Sequence, residues 1–231
     1  MKRTVASILQ SLQAQANPDS VVGMARYGIN PEGTLGVSVP ALRQMAKEIG
    51  KDHELALELW ASGLHEARIL AVYIDDPRQV SEAQMESWVV EIDSWDVCDQ
   101  ACSNLFDRTP YGVQKAFEWS ERQETFVKRA GFVLMAALAV HDKKLPDETF
   151  EAFLAVILLQ ADDERNFVKK AVNWALRQIG KRNLPLNRAA IAVAERLELG
   201  PSRAARWVAA DALRELKSSK VQDRLVNRRL E

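Results

Sequence analysis

Apolar residues return every three or four positions along almost the whole chain, and no run alternates strictly between apolar and polar. That period predicts helices over residues 4–16, 18–27, 38–50, 52–61, 65–74, 81–92, 94–106, 111–119, 126–140, 147–160, 164–179, 187–199 and 202–216. The punctuation agrees. Asn17-Pro18-Asp19-Ser20, Ser38-Val39-Pro40, Ser81 and Ser94 supply N-cap residues or a first-turn proline. Ser62-Gly63, Asp75-Asp76-Pro77 and Gly180 are stops. Residues 28–36, with Pro31 among glycines, read as a loop, and residues 218–231 as a charged last helix or tail after a single repeat domain over 1–217.

The helices echo one another. Phe126-Val127-Lys128-Arg129-Ala130 returns 41 residues later as Phe167-Val168-Lys169-Lys170-Ala171. Trp174-Ala175-Leu176-Arg177-Gln178-Ile179 returns 37 residues later as Asp211-Ala212-Leu213-Arg214-Glu215-Leu216, and residues 66–71 are a fainter copy. A period near 40 with paired helices is the pattern of HEAT and armadillo repeats, whose pairs bury their apolar faces by stacking. The expected fold is therefore all-α: a right-handed α-α superhelix, a HEAT/armadillo-like solenoid with a concave basic face.

Within this pattern the helix at 166–180 separates into two faces. Val168, Ala171, Val172, Ala175, Leu176 and Ile179 share one side. Lys170, Trp174, Arg177 and Lys181 share the other, at i, i+4, i+7 and i+11. A basic face with an aromatic in its midst suits a phosphate backbone beside a base or sugar. A charged solvated face with Trp174 tucked under a neighbouring helix fits the pattern equally well.

Composition narrows the classes. The chain has 231 residues, 47% hydrophobic and 27% charged, with ten glycines and eight prolines, the profile of an ordinary globular protein. No run approaches the ~18 apolar residues of a membrane span, and residues 1–20 lack the apolar core of a secretory signal. Two cysteines fit a reducing compartment, so a cytoplasmic, nucleoid-associated location is expected. The net charge of −1 hides a polarity. Residues 48–99 hold thirteen acids and three bases, residues 165–231 sixteen bases and six acids, and residues 165–188 seven bases and no acid. The C-terminal third is expected to face a polyanion.

Candidate chemistry is sparse. His53, His65 and His141 make no metal-ligand spacing, and Cys98 and Cys102 read as core cysteines, so no metal is expected. No phosphate-binding glycine loop, nucleophile elbow or dinucleotide fingerprint occurs, so no cofactor is expected. In the helix from Ser94, Cys98, Ala101, Cys102 and Leu105 form the apolar face. Trp95 and Asp99 stand together at i and i+4 on its edge, and Asp96 points further out. Asp99 is then a carboxylate beside an indole at the core margin; pairing with a structural arginine is the commoner use of such a residue. Arg129 opens a helix that is apolar almost all round, so it needs a partner, either Asp99 or a phosphate outside the protein.

With these residues in view, the chain resembles the DNA alkylation repair glycosylase family built from HEAT-like repeats, of the AlkD type. The resemblance spans Pro18 to Leu216. It rests on Met24-Ala25-Arg26-Tyr27, on Gly36-Val37-Ser38-Val39-Pro40 with Arg43, on Ser94-Trp95-Asp96-Val97-Cys98-Asp99, on Lys128-Arg129-Ala130, and on residues 169–177. The family pattern of Trp, Asp four residues later and a second Trp in the late basic helix falls on Trp95, Asp99 and Trp174. Its basic residue near the lesion falls on Arg129. DNA contacts are expected from Arg129, Lys170, Arg177, Lys181, Tyr27 and Arg43. Relatives that lack parts of the pattern bind DNA without excising bases, whereas this sequence keeps all of it. It departs in the loop lengths between Arg129 and Trp174 and in Val39, where a small hydroxyl residue can stand.

The resemblance implies a monomeric enzyme acting on double-stranded DNA that contains N3- or N7-alkylated purines. Such a base is cationic and leaves readily, so the paired carboxylates of ordinary glycosidases are not required. Asp99 would stabilise an oxocarbenium-like sugar and orient water, with Trp95 and Trp174 holding the deoxyribose in the same groove. Two other classes stay open: a non-catalytic HEAT-repeat protein recognising branched or distorted DNA, and a helical scaffold for an acidic protein partner.

Overall fold

The computed structural model describes residues 4–227, and all its regular structure is helical. The helices are α1 (Val5–Ala14), α2 (Pro18–Arg26), α3 (Val39–Ile49), α4 (His53–Ala61), α5 (His65–Ile74), α6 (Glu82–Val90), α7 (Trp95–Asn104), α8 (Gly112–Ser120), α9 (Thr125–His141), α10 (Asp147–Gln160), α11 (Asn166–Gly180), α12 (Leu184–Glu198), α13 (Arg203–Leu216) and α14 (Ser219–Asn227). A 3-10 turn, Phe106–Arg108, follows α7. Among the described residues there is no strand, and no helix is long and apolar enough to cross a membrane.

Every helix expected from the apolar period is present, and local chemistry sets the boundaries. Thr4, Asn17, Ser38, Asp52, Ser81 and Ser202 each accept an N–H from their own first turn. Each such cap contributes about 1 kcal/mol. Helix α12 starts three residues before the expected 187, because Asn183 caps Leu186 N–H and Pro185 occupies the first turn. The charged terminus is helical as α14, which buries Val221 and Leu225; residues 228–231 lie outside the described residues.

The chain gathers into two compact units, divided between Pro110 and Tyr111. In the first, α3, α5 and α7 pack side by side and α4 folds back on α5. Trp60 of α4 and Trp88 of α6 stack at 4.0 Å with their planes 4° apart. The loop at residues 28–36 is fixed by a buried acid. Glu66 accepts N–H bonds from Leu35, Gly36 and Val37 at 2.9, 2.6 and 3.2 Å. Gly36 is required there twice over: its φ is +80°, and a Cβ would collide with the Asn17 carbonyl.

In the second unit the repeats are visible as stacked hairpins. Helices α8, α10 and α12 contact in series, as do α9, α11 and α13, with each odd-numbered helix packed on the even-numbered one before it. Equivalent residues of successive copies meet: the Phe126 and Phe167 rings lie 5.4 Å apart. Gly131 lets α9 approach α8 so closely that any Cβ would strike the Ser120 backbone. Helix α9 is buried on every side from Val127 to Ala139, as the apolar run that begins at Ala130 requires.

Candidate functional site

In the first unit the candidate residues converge on the start of α7. Trp95 is its first residue, half-buried, and its indole N–H donates to the Tyr27 carbonyl at 3.1 Å. Tyr27 itself is 76% exposed. Asp99 follows one turn later, half-buried, while Cys98, Ala101 and Cys102 lie in the core behind it. Both cysteines are thiols, and burial pushes Cys102 well above the usual range. Arg43 is exposed on α3 and donates to the Tyr73 hydroxyl at 3.4 Å. That hydroxyl donates in turn to Gln100 Oε1 at 2.7 Å, so Arg43 is tied to the residue beside Asp99. Burial raises the Tyr73 pKa, against the pull of Arg43.

Two expectations about this helix are corrected. Asp96 does not point outward. It is buried, with Oδ2 2.9 Å from His65 Nε2 and Oδ1 accepting the Val97 N–H. Position 96 faces the first turn of α5, where a buried imidazole satisfies it. Burial works against a charged His65, but the bond to Asp96 and the nearby Asp96, Glu66 and Asp93 charges outweigh it, so the pKa rises above 6.5. Ser94 occupies the N-cap position without making the side-chain cap. Its Oγ instead accepts the Asn30 N–H at 3.1 Å and donates to Asp93, while Asn30 Nδ2 donates to Asp93 at 2.6 Å. The loop at residues 28–36 is thus clasped to the start of α7.

In the second unit α11 has the expected two faces. Val168, Ala171, Val172, Ala175, Leu176 and Ile179 are buried. Trp174 is half-buried at the helix edge and does not enter the core, and Lys170 is exposed. The stripe is less cationic than its sequence suggests, because α13 brings acids to it. Glu215 binds Arg177 and Lys181 at 2.6 Å each, and Asp211 lies 3.6 Å from Arg177 Nε. Burial tends to raise the Glu215 pKa, but the two cations hold it below the usual range. The polyanion face expected from charge alone is therefore partly self-neutralised.

Arg129 is buried at 5% exposure and donates to the Phe167 carbonyl of α11 at 2.6 Å, a bond its sequence position does not announce. Next to it, Lys128 pairs with Asp163 at 3.1 Å. Burial would raise Asp163, but Arg165 and Lys128 win and hold its carboxyl at about 2. Through these bonds the charges at the start of α9 join successive repeats.

The structure also shows residues that pattern reading missed. His65 and Asp96 stand 31 positions apart, and nothing in their spacing signals a pair. Trp207 on α13 is 42% exposed, with Lys169 Nζ 5.1 Å from its ring centroid. A signal for Trp207 did exist: Arg203, Trp207 and Arg214 repeat the spacing of Lys170, Trp174 and Lys181, 33 residues on. Among the described residues no group of three or more His, Cys, Asp or Glu side chains is placed to hold a metal ion.

Comparison with known proteins adds to this geometry. Residues 8–223 match the family model described as DNA alkylation repair enzyme. The chain is 23% identical over 188 residues to the uncharacterized protein Lin0241 of Listeria innocua serovar 6a, covering 80% of this chain and 82% of that one. It also matches a solved structure from a new family of proteins related to the HEAT-like repeat DNA glycosylases with affinity for branched DNA structures. That match has a TM-score of 0.77 at 20% identity, over 92% of this chain and 95% of the other. The fold is accordingly that of the HEAT-like repeat proteins.

Proposed function

The chain belongs to the DNA alkylation repair enzyme family, and from that premise we propose that it hydrolyses the N-glycosidic bond of N3- or N7-alkylated purines in duplex DNA. The observation that carries the reading is the placement of Asp99. It is a half-buried carboxylate one helical turn from an indole, on a helix whose start is braced by a buried His65–Asp96 pair and a clasped loop. A carboxylate beside polyanionic DNA is costly unless positive charge develops next to it.

An alkylated purine supplies that charge. As the C1′–N bond breaks, its electron pair neutralises the cationic ring and the sugar becomes oxocarbenium-like. Asp99 stabilises that sugar and orients the water whose oxygen bonds to C1′, and the water's proton passes to Asp99 or to solvent. Trp95, one turn from Asp99 on the same helix, offers an indole face to the cationic sugar, contributing about 0.5–2 kcal/mol. Lys170 is available for a phosphate, as are the exposed Tyr27 and Arg43. Arg177 and Lys181 reach phosphates by exchanging Glu215, and Arg129 orders the α9–α11 seam beside them. The test is chromatography of the bases freed from methylated duplex. Release of 3-methyladenine or 7-methylguanine supports the reading, and none released from DNA that the protein binds refutes it.

A second reading is a binder of branched DNA without base excision. The affinity ascribed to the structurally similar family favours it. It predicts tighter binding to a junction than to a linear duplex, with no base released from either. The intact Trp95, Asp99 and Trp174 set favours excision, since a binder has no use for the carboxylate.

A further inference from the structure

Beside the α11 stripe runs a second one that the proposed reaction does not use. On α13, Arg203, Trp207 and Arg214 lie at i, i+4 and i+11, the spacing of Lys170, Trp174 and Lys181 on α11. The opposite side of α13, with Ala204, Ala205, Val208, Ala209, Ala212 and Leu216, is buried, so the stripe faces out. Trp207 leaves 42% of its surface open, although an indole gains most from burial. It is not loose: Lys169 stands 5.1 Å from the ring centroid, and the Asn173 amide of α11 donates to the carbonyl of the next residue, Val208, at 3.2 Å. Arg203 is exposed one turn before it, and Arg214 pairs with Asp211 one turn after it.

We propose that Trp207 is a stacking platform for an unpaired nucleobase, with Arg203 and Lys169 on the flanking phosphates, so that α13 takes a single-stranded segment adjoining the duplex. The argument is geometric. Inside a duplex every base face is covered by its neighbours, so an open indole finds a base only where the strand is unpaired. Stacking of this kind tolerates any sequence, and cations around the aromatic supply the backbone contact. The C-terminal stretch fits a polyanion, with sixteen bases against six acids over residues 165–231; the acids nearest the stripe are Glu164, which accepts the Ala204 N–H, and Asp211, which pairs with Arg214. This inference rests on the nucleic-acid reading of α11 but not on base excision.

The test measures affinity, by fluorescence anisotropy, for a blunt duplex and for the same duplex with a single-stranded extension. Trp207→Ala and Trp207→Leu should each lose about tenfold or more on the extended DNA and leave the blunt duplex unchanged. Trp207→Phe should keep most of the preference. Leu preserves apolar bulk without a ring, so it separates stacking from packing. Equal losses on both DNAs, or no loss on the extended one, overturn the inference. A wild-type protein that frees no alkylbase but shows this Trp207-dependent preference sinks the excision reading alone. One that frees alkylbases from blunt duplex while Trp207→Leu binds both DNAs like wild type sinks this inference alone, and binding to neither DNA sinks both.

Discussion

The start of α7 and the exposed face of α11 each present a tryptophan at the edge of a helix, but they hold it by opposite means. Around Trp95 the bonds form a connected set that runs from the surface into the core: indole to Tyr27 carbonyl, Asn30 to Ser94, and, fully buried, Asp96 to His65 and Glu66 to the Gly36 and Val37 amides. Around Trp174 the neighbours are cations whose partners, Asp211 and Glu215, are themselves partly exposed. The first arrangement fixes a carboxylate in place. The second is exchangeable, because an ion pair near solvent is worth only about 0–1 kcal/mol and a phosphate can compete for it. The bonded arrangement lies in the first unit and the exchangeable one in the second.

The largest test of this contrast removes the brace. His65→Ala leaves Asp96 buried without its imidazole partner and should cost about 3 kcal/mol of unfolding free energy in denaturant titrations. The same pair predicts a pH dependence. The His65 pKa is raised in the folded state, so its stabilisation is fully present below the ordinary 6.5 and is lost as pH rises through the folded value. Wild type should therefore lose stability above pH 6.5 relative to His65→Gln, which keeps a neutral partner for Asp96. Parallel pH profiles would mean that the pair braces nothing.

A smaller effect is expected on α11. Glu215→Gln takes the shared carboxylate from Lys181 and leaves Arg177 only Asp211, so duplex affinity at low salt should rise several-fold and the salt slope steepen by about one. If affinity is unmoved, those two cations do not reach DNA. Smallest is Lys170→Ala. It should weaken binding to all duplexes alike and make the slope of log affinity against log salt shallower by about 0.9.

How much of this was legible follows from the range of each interaction. Helix positions came from the apolar period and from caps such as Asn17 and Ser81, which act within a few residues. The two faces of α11 and the Trp95–Asp99 edge of α7 are likewise local, set by 3.6 residues per turn. The orientation of Asp96 is not legible locally because its partner, His65, lies 31 residues away, and pattern assigns a polar residue to solvent by default. The partial neutralisation of the basic stripe was missed for the same reason. A block of 24 residues without an acid looks unopposed until the fold lays Asp211 and Glu215 against it. The Glu66 clasp on residues 35–37 was illegible because backbone amides carry no sequence signature.

The account stands on Asp99 acting as the group that stabilises the sugar cation. Single-turnover excision from duplex containing 7-methylguanine, run on wild type and Asp99→Asn with DNA affinity measured alongside, tests it most directly. The account predicts that the variant loses about 100-fold or more in rate, on the order of 3 kcal/mol, while DNA affinity stays the same or improves. Equal rates in the two proteins would contradict it.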